Sequence, residues 1–186
     1  MPGITDSLKD VLSSTVTAAG DVVGTIRNVA KDNLVETVRG GGEVVSTSVN
    51  VASKVVSDGI QAVSNTGVSL TNGVVGLVDG VIEGVSEVGG DVGVASTEAA
   101  RGAVKSVSSV GGDVGVAAVS AVEGSIKAAE KIGTDTGGLA KNAVIGSLQA
   151  ADEIGSEAGG MVRKALLNAA SLPHDIIDAL LTGKKE

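Results

Sequence analysis

The chain has 186 residues, a formal charge of −8 from 14 Lys+Arg and 22 Asp+Glu, and no Phe, Tyr, Trp or Cys. An acidic balance without stacking aromatics excludes a nucleic-acid binder, and the lack of Cys excludes disulfide scaffolds, thiolate metal sites and Cys nucleophiles. With 42% hydrophobic residues and a mean hydropathy of +0.34 the chain is too apolar to stay disordered, so any core is built from Val, Ala, Ile and Leu.

Residues 1–19 are expected to form an N-terminal capping helix, with Thr5 and Asp6 as capping side chains before Leu8, Val11 and Leu12. No basic stretch precedes an apolar run at Met1-Pro2-Gly3-Ile4, which predicts no cleaved secretory signal and a cytoplasmic location, free or peripheral to a membrane or granule. Residues 20–170 repeat. Gly89-Gly90-Asp91-Val92-Gly93-Val94-Ala95 returns one 22-residue period later as Gly111-Gly112-Asp113-Val114-Gly115-Val116-Ala117, and the same frame gives units starting at Asp21, Glu43, Asn65, Asp91, Asp113, Asp135 and Glu157. The step from Asn65 to Asp91 is longer than the others by about four residues, a stutter. The richest apolar stretch, Gly73 to Val94, carries Asp79, Glu83, Glu87 and Asp91, whereas a membrane-spanning helix needs about 20 nearly uncharged residues. Residues 171–186 close the array at Leu172-Pro173 with a short amphipathic segment, Asp175 to Leu181, and a solvated tail.

The period is two 11-residue halves, and an 11-residue repeat fits a whole number of helical turns, three. In each half, apolar residues hold positions that fall in one arc of about 130°, the width of an amphipathic stripe. Its members include Val104, Val114, Val122, Ile126, Ile132, Val144, Leu148, Ile154 and Leu166. A β-solenoid of the same period is the competing reading, but strict alternation is lacking and Ala117 to Lys131 is rich in helix formers. The expected fold is therefore all-α: an array of 22-residue amphipathic helical repeats, as long kinked helices or helical hairpins.

The glycines recur four apart at Gly20/Gly24, Gly89/Gly93, Gly111/Gly115, Gly133/Gly137 and Gly155/Gly159, with a denser ladder at Gly76, Gly80 and Gly84. One reading makes them close-packing positions, a glycine zipper on the apolar stripe. The other makes Gly-Gly-Asp the end of one helix and the N-cap of the next, giving short helices joined by tight turns. Either way each interior Gly costs about 1 kcal/mol relative to Ala, so the helices depend on packing partners.

No catalytic constellation is expected. His174 is the only His, so neither a His-based triad nor a multi-His metal site can form within one chain. Phosphate-cradling, dinucleotide and calcium-loop patterns are missing, so the sequence predicts no cofactor, no metal and no enzyme activity.

Units such as Gly111-Gly112-Asp113-Val114-Gly115-Val116-Ala117-Ala118-Val119-Ser120 resemble the 11-residue amphipathic repeats of perilipin-type lipid-droplet coats and the synucleins, over roughly residues 15 to 170. The resemblance implies a helix lying on a lipid or hydrophobic granule surface. Two features depart from it: the polar face is net acidic where such helices are usually Lys-rich, and the paired glycines are denser than adsorption requires. Two functions follow: a coat on a lipid or storage-granule surface, or a homo-oligomeric scaffold packed through Gly-rich helix faces, able to organise a larger membrane-associated complex.

Overall fold

The computed structural model describes residues 21–41 and 45–182, together with Asp6 and Asp10, which occupy helical positions. The expected capping helix at 1–19, Gly20, the unit start at Glu43 and the tail after Thr182 thus lie outside the described residues, apart from those two aspartates. The chain is all-α, with no strand among the described residues. Its helices are α1 Val22–Gly41, α2 Val45–Ser64, α3 Leu70–Glu87, α4 Val92–Ser109, α5 Val114–Ile132, α6 Thr136–Ile154, α7 Ser156–Asn168 and α8 His174–Thr182. No helix among the described residues is long and apolar enough to cross a membrane.

The starts of α4, α5 and α6 share one chemical device. At the end of α4, Gly112 donates its N–H to Val107 O at 2.9 Å and Gly111 donates to Ser108 O at 3.1 Å, which satisfies carbonyls the helix leaves free. Gly111 takes φ +77°, a conformation that costs an L side chain about 1–2 kcal/mol. Asp113 then accepts from Gly115 N at 2.8 Å and Val116 N at 3.1 Å, capping α5. Asp91 caps α4 in the same way, and Asp135 caps α6 through Gly137. Gly89, Gly111, Gly133 and Gly155 are therefore turn residues, with nothing within 4 Å of an added Cβ; their expected place on a helix-packing face is corrected. With Gly67 they are the residues of positive φ, one at each turn from α2 to α7.

Among the described residues each helix packs on its neighbour and on its next-but-one neighbour, and on nothing further along the chain. Val23, Arg27 and Lys31 of α1 meet Gly76, Gly80 and Gly84 of α3 in the same order, so these two helices run parallel and consecutive helices run antiparallel. The result is two layers, α1-α3-α5-α7 and α2-α4-α6-α8, with the apolar residues between them. Leu34, Ile60, Leu77, Ile82 and Leu166 are among the bulkiest members of a core otherwise made largely of Val and Ala.

Gly111→Ala should lower unfolding stability by about 1 kcal/mol or more, although it adds no clash, because the cost is conformational. Urea denaturation followed by circular dichroism measures it; unchanged or higher stability contradicts the turn assignment.

Candidate functional site

The sequence-predicted packing glycines divide by what surrounds them. A Cβ added at Gly76 would sit 2.8 Å from Val23 O, one at Gly80 would run into Arg27 O, and one at Gly84 would lie 3.3 Å from Lys31 O, all backbone of α1. At Gly115 it would meet Ala165 Cβ at 2.8 Å and Met161 O at 3.1 Å, on α7. Gly93 faces the Asn142 side chain at 3.0 Å. Gly24 is crowded only by its own cap, Asp21, and Gly159 by the Arg163 side chain at 3.1 Å, so neither faces another helix's backbone. Gly137 donates to the capping Asp135 at 3.0 Å.

Sequence reasoning missed three further contacts of a glycine with another helix's backbone. Gly102 would place a Cβ 3.3 Å from Ser53 O, Gly124 2.7 Å from Val75 O, and Gly146 in collision with Thr97 O. Together with Gly80 they form the series 80, 102, 124, 146 at the 22-residue period, and that spacing was the signal that could have found them. Each sits mid-helix against the backbone of the helix two before it. Removing the side chain lets two backbones approach until Cα–H groups contact carbonyl oxygens.

The apolar stripe faces inward. Val104, Val122, Val144 and Leu166 are fully buried and Val114 nearly so, while Ile126, Ile132 and Leu148 are partly buried against the core. Ile154 is the exception and its assignment is corrected: it ends α6 with its side chain 39% exposed. The helix stops there at Gly155, so Ile154 has no following turn to carry it toward the core.

A second cluster is charged. Asp79 of α3 is 1% exposed, and Lys131 of α5 reaches it while also lying 3.1 Å from Glu83 Oε1. Arg27 of α1 approaches Glu83 at 3.8 Å, and Lys31 and Arg39 reach Glu87 at 3.1 and 3.3 Å. Oδ1 of Asp79 has no hydrogen-bond partner. Burial raises the Asp79 carboxyl from its ordinary 3.8 to about 6, against the pull of Lys131. Burial would raise Glu83 too, but hydrogen bonds from Asp79 and Lys131 outweigh it and hold Glu83 below its ordinary value. In the other layer, Glu153 of α6 binds Lys105 of α4 at 2.6 Å and also Arg101; the Lys105 hydrogen bond, helped by Arg101, keeps its carboxyl low despite some desolvation. In the sequence Asp79, Glu83 and Glu87 stand out only as charges that interrupt the apolar stretch from Gly73 to Val94. The burial of Asp79 follows from its place beside Gly80, at a backbone contact.

His174 is exposed, and no group of three or more His, Asp or Glu among the described residues could hold a metal ion. A cleft of about 200 Å³ is lined by Leu70, Val74, Val107, Val116 and Ala117, with Thr71 and an Asp113 already engaged as a cap. A second, of about 350 Å³, lies among Ile126, Thr136, Gly137, Ser171, Leu172 and Pro173, where Ser171 donates to Glu123 at 2.7 Å. The fold defines an all-α protein of consecutively stacked antiparallel helices. No family model, curated protein or solved structure matches the chain.

Gly124→Ala should destabilise by about 1–3 kcal/mol, since the methyl meets a carbonyl that cannot yield, while Gly40→Ala, with open space around it, should stabilise by up to about 1 kcal/mol. Denaturant midpoints that rise for both variants contradict the close approach. A pH measurement addresses Asp79. Its folded pKa lies above its unfolded one, so the native state binds more protons between pH 3.8 and about 6 and stability rises as pH falls through that window. Glu83, held low, loses its contribution only at more acid pH. From pH 7 to pH 5 the wild type should gain about 1 kcal/mol that Asp79→Asn lacks; parallel stability–pH curves contradict the shift.

Proposed function

We propose that the chain is a non-enzymatic structural scaffold: an array of 22-residue helical repeats held by glycine-mediated backbone contacts, whose surface serves to engage other proteins in the cytoplasm or at the periphery of a membrane. One observation supports this above others. Leu34, Val56, Val78, Ala100, Val122, Val144 and Leu166, which stand 22 residues apart even across the longer step from Asn65 to Asp91, are each 0% exposed. One inward-facing position thus serves every helix from α1 to α7. Each buried Val or Leu contributes about 1.5–3 kcal/mol, so the stripe is committed to internal packing. In such arrays a helix that contacts only near neighbours builds an extended surface suited to binding.

Coating a lipid or granule surface, the function implied by the resemblance to droplet coats, requires the array to open, because the same residues cannot face lipid and each other at once. Circular dichroism with and without neutral and anionic vesicles separates the two. A scaffold should be helical in water, unfold cooperatively and keep its spectrum when vesicles are added. Little helix in water and a large gain on vesicles overturns the scaffold in favour of the coat.

A further inference from the structure

The two ends of the array differ. On α3 the side facing the helix two before it carries Gly76, Gly80 and Gly84. Two periods earlier in the chain, the matching positions of α1 are Asp32, Glu36 and Gly40, all exposed. Carboxylates thus stand where the two tightest backbone contacts of α3 are made, and that end cannot admit another backbone in the same way. The α7 end is the reverse. Of the large hydrophobic side chains exposed among the described residues, Ile154, Met161 and Leu167 lie on α7 or just before it. Exposed Glu157, Gly160, Met161, Lys164 and Leu167 follow one another by steps of three with one adjacent pair, so they line one side of the helix. Space is open at Gly160, where nothing lies within 4 Å of an added Cβ.

This face reads the same in both directions about the point between Gly160 and Met161. In an antiparallel pair of α7 helices crossing there, Gly160 opposes Met161 of the other copy, Glu157 opposes Lys164, and Ile154, at the helix's leading end, meets Leu167. A small residue receives a large one, an anion a cation, and an apolar residue an apolar one, each twice by symmetry. Neither Glu157 nor Lys164 forms a salt bridge with another described residue.

Resting on the array reading above, the geometry points to α7 as a two-fold docking surface for a second copy of this chain. A surface that complements itself closes on a dimer, and the carboxylates on the outer side of α1 prevent head-to-tail growth into a filament. One helix side per copy is smaller than the roughly 800 Å² per partner of a standard interface, so the dimer belongs to the weak, concentration-dependent class and is sought from micromolar concentrations upward.

Sedimentation equilibrium of the full chain across that concentration range tests it. The wild type should pass from one copy to two and stop there. Lys164→Glu places like charges at both symmetric pairs and should raise the dissociation constant about ten-fold or more, and Glu157→Lys should do the same. The double exchange should restore dimerisation, a rescue that general damage to the fold cannot produce. Val94→Glu, at an exposed hydrophobic outside this face, should leave the mass unchanged. A wild type that stays monomeric, grows beyond two copies, or keeps its affinity in both single variants overturns the docking surface. Circular dichroism of the same samples keeps the two readings apart: a helical, cooperatively unfolding monomer rejects only the docking surface, whereas loss of helix in water rejects the array itself.

Discussion

A core without aromatic rings has to be filled by bringing helices closer together. A Phe or Trp spans a wide gap and buries about 150–250 Å² in a single side chain. Val and Ala cannot, so the helices approach until small side chains fill the space at interior density. Closer approach in turn demands positions with no side chain at all. Gly80, Gly102, Gly124 and Gly146 meet that demand, each against the backbone of the helix two before it. Such a glycine loses about 1 kcal/mol of helix propensity. The loss is offset where backbone meets backbone, through Cα–H contacts and the dispersion of tightly packed neighbours.

Small side chains give close packing but little shape, and a stack of similar helices could join in the wrong order. The charges supply the missing discrimination. Asp79 of α3 and Arg101 of α4 stand one period apart, as do their partners Lys131 of α5 and Glu153 of α6. They are the same pair of positions with signs reversed between layers. Exchanging α5 and α6 would set Asp79 against Glu153 and Arg101 against Lys131. Asp79 is buried, so setting a second carboxylate against it is strongly unfavourable, while the more exposed Arg101 and Lys131 would repel weakly; the pairs specify layer and register even where their net contribution to stability is small. The raised carboxyl of Asp79 shows the cost of placing such a group at a dry backbone contact.

Much of this was legible in the chain. The helical character and the apolar stripe can be read from the recurrence of Gly-Gly-Asp and of apolar residues at helical spacing, but not whether the stripe faces other helices or a lipid surface. Whether Gly111 joins two helices or breaks them cannot, because a glycine four positions from another is compatible with a zipper and with a turn alike. The choice is made by Asp113, whose carboxylate caps Gly115 and Val116 and so starts a new helix, and by Gly112, whose N–H closes the old one. Gly102, Gly124 and Gly146 are hard to find in the chain because none has a second glycine four positions away, while the contact each makes joins helices two apart. The Ile154 assignment failed for a local reason, since the period carries through a helix end that the backbone does not.

A stack in which contacts reach only the next two helices is quasi-one-dimensional, and its stability is a sum of neighbouring terms. Such a structure has no closed surface of its own, so its ends decide what it becomes. Here the outer side of α1 carries Asp32 and Glu36 where α3 has Gly76 and Gly80, which removes the positions through which a further layer would dock. On α7 the exposed Gly160, Met161 and Leu167 share one side, which borders the contact that Met161 O makes with Gly115 of α5. Continuation of such a stack depends on whether its outermost helices keep bare backbone positions, and at Asp32 and Glu36 α1 does not.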